Sequence, residues 1–94
     1  MRVRVQYTAQ LRTALGLAAE DVELPDGSTL ASLLIQLTRQ HGPKAHDHFT
    51  GSGGEAPKGL LIVVNDAAKS ASQTAATVLN AGDVVTLLPP IAGG

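Results

Sequence analysis

The sequence predicts an α+β fold in which one mixed sheet covers a single long helix. Three observations predict it. Residues 1 to 7 alternate apolar and polar, as a half-buried strand does. Leu30, Leu33, Leu34 and Leu37 recur at the i, i+3, i+4, i+7 spacing of a helix with one buried face. Leu60-Leu61-Ile62-Val63-Val64 is a continuous apolar run bounded by Gly59 and Asn65-Asp66, the pattern of a strand buried on both faces.

In the opening strand Met1, Val3, Val5 and Tyr7 share one face, and Arg2, Arg4 and Gln6 the other. Ala9 to Leu15 pairs Leu11 with Leu15 at i, i+4 and meets Gly16, a left-handed helix stop, so a short helix follows. Asp21 to Leu24 reads as a second strand closed by the turn Pro25-Asp26-Gly27. The long helix runs from about Leu30 to His41, with Ser28 or Thr29 as its N-cap and Gly42-Pro43 as its terminator.

Residues 43 to 59 form a Gly-, Ser-, His- and Lys-rich loop, long for so small a domain. The apolar run 60 to 64 is expected to be the central strand. Ala67 to Leu79 is weakly patterned and reads as irregular. Asn80-Ala81-Gly82-Asp83 turns the chain into a last strand, Val84 to Leu88. Helix-covered mixed sheets of this order include the β-grasp, and the whole chain, 1 to 94, reads as one such domain.

Composition excludes several function classes. The 94 residues carry 7 Lys plus Arg against 8 Asp plus Glu, a formal charge of -1, which gives no electrostatic footprint for nucleic acid or an anionic membrane. Aromatic residues make up 2% of the chain, too few for a base-stacking platform. The chain contains no Cys, so disulfides, thiolate metal sites and Cys nucleophiles are impossible, and sulfur chemistry would need sulfur from outside. No apolar stretch approaches 18 residues and no leader pattern opens the chain, so the expected setting is cytoplasmic. After Lys69 the only charged side chain is Asp83, which leaves the last quarter of the chain neutral and apolar, as at a partner interface.

The sequence ends Leu87-Leu88-Pro89-Pro90-Ile91-Ala92-Gly93-Gly94. A terminal Gly-Gly sets a carboxylate on backbone without side chains, able to enter a narrow tunnel and to adopt φ values closed to other residues. A frayed, solvated end would be polar. Here Leu87, Leu88 and Ile91 flank a Pro pair that holds residues 89 to 94 toward an extended form. Leu87 and Leu88 are consecutive on a strand, so one faces the core and the other is free to face a partner.

Taken with the stretch Val3 to Arg12 followed by Gly16, with Val63-Val64-Asn65, and with Leu79-Asn80-Ala81-Gly82-Asp83-Val84-Val85, this ending resembles the ubiquitin-like sulfur carriers. Within them it is most similar to the small-subunit group of molybdopterin synthase. Three features depart from that group's pattern. Leu87-Leu88 stands where aromatics are frequent, as does Thr8, and the 43 to 59 loop is longer than in many molybdopterin carriers.

The resemblance implies a β-grasp (ubiquitin-like) fold and a non-catalytic carrier that binds no cofactor. A ubiquitin-activating-type adenylyltransferase would use ATP to adenylate Gly94. A sulfur donor would then convert it to a thiocarboxylate, a nucleophile at neutral pH. The acceptor implied is a pyranopterin precursor held by the molybdopterin synthase large subunit, or else another sulfur-accepting enzyme serving cysteine, thiamine, a thiolated tRNA or a specialised metabolite. A protein modifier that forms isopeptide bonds through Gly94 is the rival class. Carried over from the resemblance are Gly94 for chemistry and Gly93 for tail entry. Leu87, Leu88, Pro89, Pro90, Ile91 and Ala92 carry over as partner-binding positions. Asn65 and Gly82 also match, but turn geometry accounts for both.

The weaker signals carry no function. His41, His46, Asp47 and His48 lack a standard metal-ligand spacing, and a loop would lose ordering entropy in closing on an ion, so no metal is expected. Gly51-Ser52-Gly53-Gly54 lacks the Lys-Ser/Thr and the strand-to-helix context of a phosphate cradle.

Overall fold

The computed structural model describes residues 1–42, 61–69 and 71–88. β1 (Arg2–Tyr7) leads into α1 (Ala9–Leu15), β2 (Ala19–Glu23) and α2 (Leu30–His41). β3 (Leu61–Val64), β4 (Ala67–Lys69), a 3₁₀ helix (Ala71–Ala76) and β5 (Val84–Leu88) complete the order. The strands form one sheet in the order β2-β1-β5-β3-β4. β1 and β5 run parallel, while β1 with β2, β3 with β5 and β3 with β4 are antiparallel.

Alternation along β1 buries Val3, Val5 and Tyr7 and exposes Arg2, Arg4 and Gln6. The buried set meets the whole leucine stripe of α2, with Leu30, Leu33 and Leu37 at zero exposure. Leu11 and Leu15 of α1, Val22, Ile62, Leu79, Val85 and Leu87 complete the same core. Thr29, rather than Ser28, caps α2: its backbone is extended, and its Oγ1 accepts from Ser32 N at 3.2 Å. α1 stops at Gly16, whose φ of 76° is the left-handed conformation Gly adopts without steric cost, and its N–H closes on the Arg12 carbonyl.

Four expectations are corrected. β2 begins at Ala19, two residues before Asp21, because Ala19 pairs with Gln6 and continues the ladder. The segment after Asn65 is not irregular: Asn65 takes a left-handed φ of 57° in a two-residue connection that folds Ala67–Lys69 back as a fifth strand, and a 3₁₀ helix follows. The Ala-Ala-Lys of β4 carries too little alternation to announce itself. The central strand is β5, flanked by β1 and β3, and not the 60 to 64 run. Nor is that run buried on both faces. Ile62 and Val64 are buried, whereas Val63 is half-buried and Leu61 is 44% exposed. One long helix covers one face of the sheet, so the apolar residues of β3 that point the other way stay accessible to solvent. The 43 to 59 loop and Leu60 lie outside the described residues.

Candidate functional site

β5 carries the segment that ends in the tail, and its two ends are held by different means. At its start, Asn65 Oδ1 accepts from Val84 N at 3.0 Å, and Asn65 Nδ2 donates to Asp83 Oδ1 at 3.1 Å. Asp83 Oδ2 in turn accepts from Asn80 N at 2.9 Å. Gly82, with φ 87°, completes this turn and donates its N–H to the Arg2 carbonyl, which starts the parallel β1–β5 ladder. At its far end Leu87 is fully buried, and its carbonyl accepts a hydrogen bond from Thr8 Oγ1 at 3.0 Å. Leu88 points to the opposite face and is half-buried.

The alternation of β5 therefore assigns the two leucines: Leu87 is core, and Leu88 belongs to the outer face of the sheet. Register aligns Leu88 with Leu61, Thr86 with Val63 and Gln6, and Val84 with Arg4. The outer face thus divides into two halves. Around β5 and β3 it is apolar, with Val84, Leu88, Leu61 and Val63 about the lone hydroxyl of Thr86. On β1 and β2 it is charged but internally paired. Arg2 Nε meets Glu23 Oε1 at 2.8 Å, and Arg4 lies 3.6 Å from Asp21, both pairs exposed. Pairing leaves little net field there, so association at this face would rest on apolar contact more than on steering.

A second polar cluster lies at the end of α2. Glu20 accepts from Tyr7 Oη at 2.5 Å and from Gln40 Nε2 at 3.0 Å, and His41 Nε2 lies 2.6 Å from its Oε2. His41 also stands edge-on to the Tyr7 ring, with centroids 6.2 Å apart. Burial, reinforced by the hydrogen bond and charge of Glu20, pushes the Tyr7 phenol well above its ordinary range. The cluster ties α2 to β1 and β2 and gathers no set of metal ligands. Among the described residues no three His, Asp or Glu side chains converge as an ion site. His46, Asp47 and His48 lie outside the described residues.

Of the positions expected to carry function, the described residues include Leu87 and Leu88. Pro89, Pro90, Ile91, Ala92, Gly93 and Gly94 lie outside them. Sequence reasoning missed Leu61 and Val63 as neighbours of Leu88, because a continuous apolar run reads as buried throughout. It also missed the Thr8 contact, since nothing local links residues 79 positions apart.

A parallel pair of strands from the two ends of the chain at the middle of a mixed five-stranded sheet, with a helix packed across one face, defines a ubiquitin-like β-grasp protein. Residues 5–94 match the ThiS family, and the chain belongs to it. Comparison with curated proteins finds no match. Among solved structures the chain resembles small archaeal modifier protein 1 (SAMP1) of Haloferax volcanii, with a TM-score of 0.86 at 23% identity over 100% of both chains. It also resembles a putative molybdopterin converting factor subunit 1 of Pyrococcus furiosus, with a TM-score of 0.75 at 28% identity over 97% of this chain and 99% of that one. The BexX/CysO complex of Amycolatopsis orientalis gives a TM-score of 0.70 at 26% identity over 98% and 99%. The chain is thus one of the ubiquitin-like sulfur carriers and modifiers, small proteins that are in general not catalysts themselves. No helix among the described residues is long and apolar enough to cross a membrane.

Proposed function

We propose that this protein carries sulfur as a thiocarboxylate on Gly94 and is the small subunit of a molybdopterin synthase. The observation that carries the reading is the family match running through to Gly94, downstream of a central strand whose last residue, Leu88, belongs to an apolar outer face. In the first step the Gly94 carboxylate attacks the α-phosphorus of ATP on an activating enzyme, giving an acyl adenylate and pyrophosphate. A sulfur donor then attacks the acyl carbon. The C–S bond forms as the C–O bond to AMP breaks, and AMP leaves with the electron pair. The carrier supplies the reacting carbon and its delivery, while the partner enzymes supply acid-base groups and substrate contacts.

The Tyr7, Glu20 and His41 groups are spent on one another, packed between α2 and the sheet. In this reading Leu88 and its outer-face neighbours bind the partner, with Pro89, Pro90, Ile91 and Ala92 lining the way and Gly93 passing the constriction. The molybdopterin assignment draws on the Pro89-Pro90-Ile91-Ala92-Gly93-Gly94 ending and on the likeness to the Pyrococcus furiosus protein. A carrier serving another acceptor is the second reading, favoured by the likeness to the BexX/CysO complex.

Mass measurement of the intact protein tests the chemistry, before and after incubation with an activating enzyme, ATP and sulfide. Fragmentation must locate the change, because oxidation of Met1 nearly matches oxygen-to-sulfur exchange in nominal mass. Sulfur on Gly94 is the expected result. An unchanged Gly94, with an activating enzyme competent on another carrier, would overturn the reading. Sulfur transfer in the presence of a molybdopterin synthase large subunit, compared with a cysteine-forming acceptor, separates the two pathways.

A further inference from the structure

Thr8 occupies the N-cap position of α1, with extended backbone at φ −126° and ψ 161°. A threonine there ordinarily turns its hydroxyl to the free N–H groups of the first helical turn. This one makes no such bond. Its Oγ1 donates instead to the carbonyl of Leu87, 3.0 Å away and 79 residues along the chain. The junction is strained as well: Ala9 follows with φ 50°, a left-handed conformation uncommon for alanine.

The place of this bond gives it meaning. The parallel β1–β5 ladder has Tyr7 and Leu87 as its last pair, so the Thr8 hydroxyl extends the tie between the strands one residue past the end of β1. Across the other edge of β5, Leu88 is paired with Leu61, and alternation from the bond between Asn65 N and the Val84 carbonyl makes this a hydrogen-bonded pair. One residue before Leu87, Thr86 Oγ1 donates to Gln6 Oε1 at 3.1 Å. The end of β5 is thus held from β1 by two side chains and from β3 by backbone, immediately before the polypeptide continues toward Gly94.

We propose that Thr8 is a positioning residue for the acyl terminus: its hydroxyl fixes the Leu87 carbonyl, so that Leu88, from which the sequence runs on to Gly94, is held in one place and in one orientation. The inference rests on the carrier reading above. Gly94 is the sixth residue after Leu88, a span of at most about 20 Å for a fully extended chain. A segment that short delivers its carboxylate to a reacting centre only if its base is fixed, because rotation at the base displaces the far end over the full length. Anchoring the base raises the fraction of docked complexes in which the carboxylate lies in reach of the nucleotide.

The test compares the full-length protein with Thr8→Val, which keeps the shape and removes the donor, and Thr8→Ser, which keeps the donor. ATP–pyrophosphate exchange with an activating enzyme reads positioning, and backbone hydrogen exchange at Leu87 and Leu88 reads the anchor without any enzyme. Thr8→Val is expected to lower kcat about threefold to tenfold, the order of one lost positioning contact, with KM for the carrier nearly unchanged. It should also speed exchange at Leu87 and Leu88 while the Leu33 and Leu37 amides of α2 stay protected, and Thr8→Ser should restore both readouts. Wild-type kcat together with wild-type exchange at Leu87 and Leu88 in Thr8→Val overturns the proposal. So does a variant in which KM rises and kcat does not fall. A wild-type protein that is never adenylated overturns the carrier reading and the positioning role with it, a failure distinct from a variant that matches an active wild type.

Discussion

Leu88, the last residue of β5, lies directly across the ladder from Leu61, the first residue of β3, on the face of the sheet that α2 does not cover. The pair lies where the chain sets out toward its C-terminal residues, so a partner receiving those residues would meet it first. Burial on this face is incomplete, and replacing Leu61 therefore removes little core packing. Leu61→Asp is expected to change folding stability by no more than about 0.5 kcal/mol, the usual range for surface substitutions. It should weaken binding to an activating enzyme or synthase large subunit about tenfold or more, which titration calorimetry would read. Unchanged affinity would remove the outer face from the partner interface.

Leu87→Ala should behave in the opposite way. Its side chain is fully buried in the common core, so truncation is expected to cost about 2 to 5 kcal/mol, from lost transfer energy and the cavity left behind. Urea unfolding measures this directly. The outer-face Leu61 and the core Leu87 thus separate binding from stability, and a Leu87→Ala protein as stable as the parent would contradict the assignment of faces.

Asn65 combines two jobs at one position. Its left-handed backbone turns β3 into β4, and its amide bonds both Val84 N and Asp83. Asn65→Ala loses the bonds and strains the turn, at an expected cost of about 1 to 3 kcal/mol. Asn65→Gly relieves the strain but not the bonds, and should recover part of that loss in the same denaturation experiment. Equal stability of the two variants would show that the backbone conformation contributes nothing.

These relationships differ in how far the sequence discloses them. The long helix and its four buried leucines are legible because period and burial coincide over a dozen residues, and the face of every β1 residue follows from strict alternation. β4 is not legible, since three residues of Ala-Ala-Lys follow the two-residue turn that creates them. The identity of the central strand is also hidden, because β5 reaches the middle of the sheet only by parallel pairing with β1 from the other end of the chain. That one of Leu87 and Leu88 faces outward follows from strand geometry, while the choice between them needs the register. Thr8 reads locally as a helix cap, and only the fold reveals that it bonds Leu87 instead.

Tyr7 is the single tyrosine, so its ionisation can be followed without interference. Its phenol is raised above the ordinary value near 10, chiefly by burial and then by Glu20, so the folded state holds the proton more tightly than the unfolded state. The sign follows: the contribution is fully present below about pH 10 and is lost as pH rises beyond it. Absorbance of tyrosinate is expected to appear only together with loss of the far-ultraviolet circular dichroism of the fold. In Glu20→Gln the acceptor carboxylate and its charge are gone, and the phenol should ionise at lower pH. Ionisation of the wild-type phenol near pH 10 in a folded protein would refute the buried Tyr7–Glu20 contact.

Binding and chemistry should be separable at the C-terminus. Under the carrier reading the outer face around Leu88 and Leu61 supplies affinity, while Gly94 supplies only the carbon that reacts. Removing Gly94 is then expected to leave the dissociation constant for an activating enzyme within about threefold of the parent, a change under 1 kcal/mol. The shortened protein should accept no sulfur, because its new terminal carboxylate on Gly93 stops one residue short, about 3.5 Å, of the position the nucleotide requires. That distance exceeds the misplacement that already costs a hundredfold in rate. Calorimetry and intact mass on the same sample give both numbers. If the shortened chain were still loaded with sulfur, chain length would not gate activation; if it lost affinity as well, the terminal residue and not the sheet would be the main source of binding.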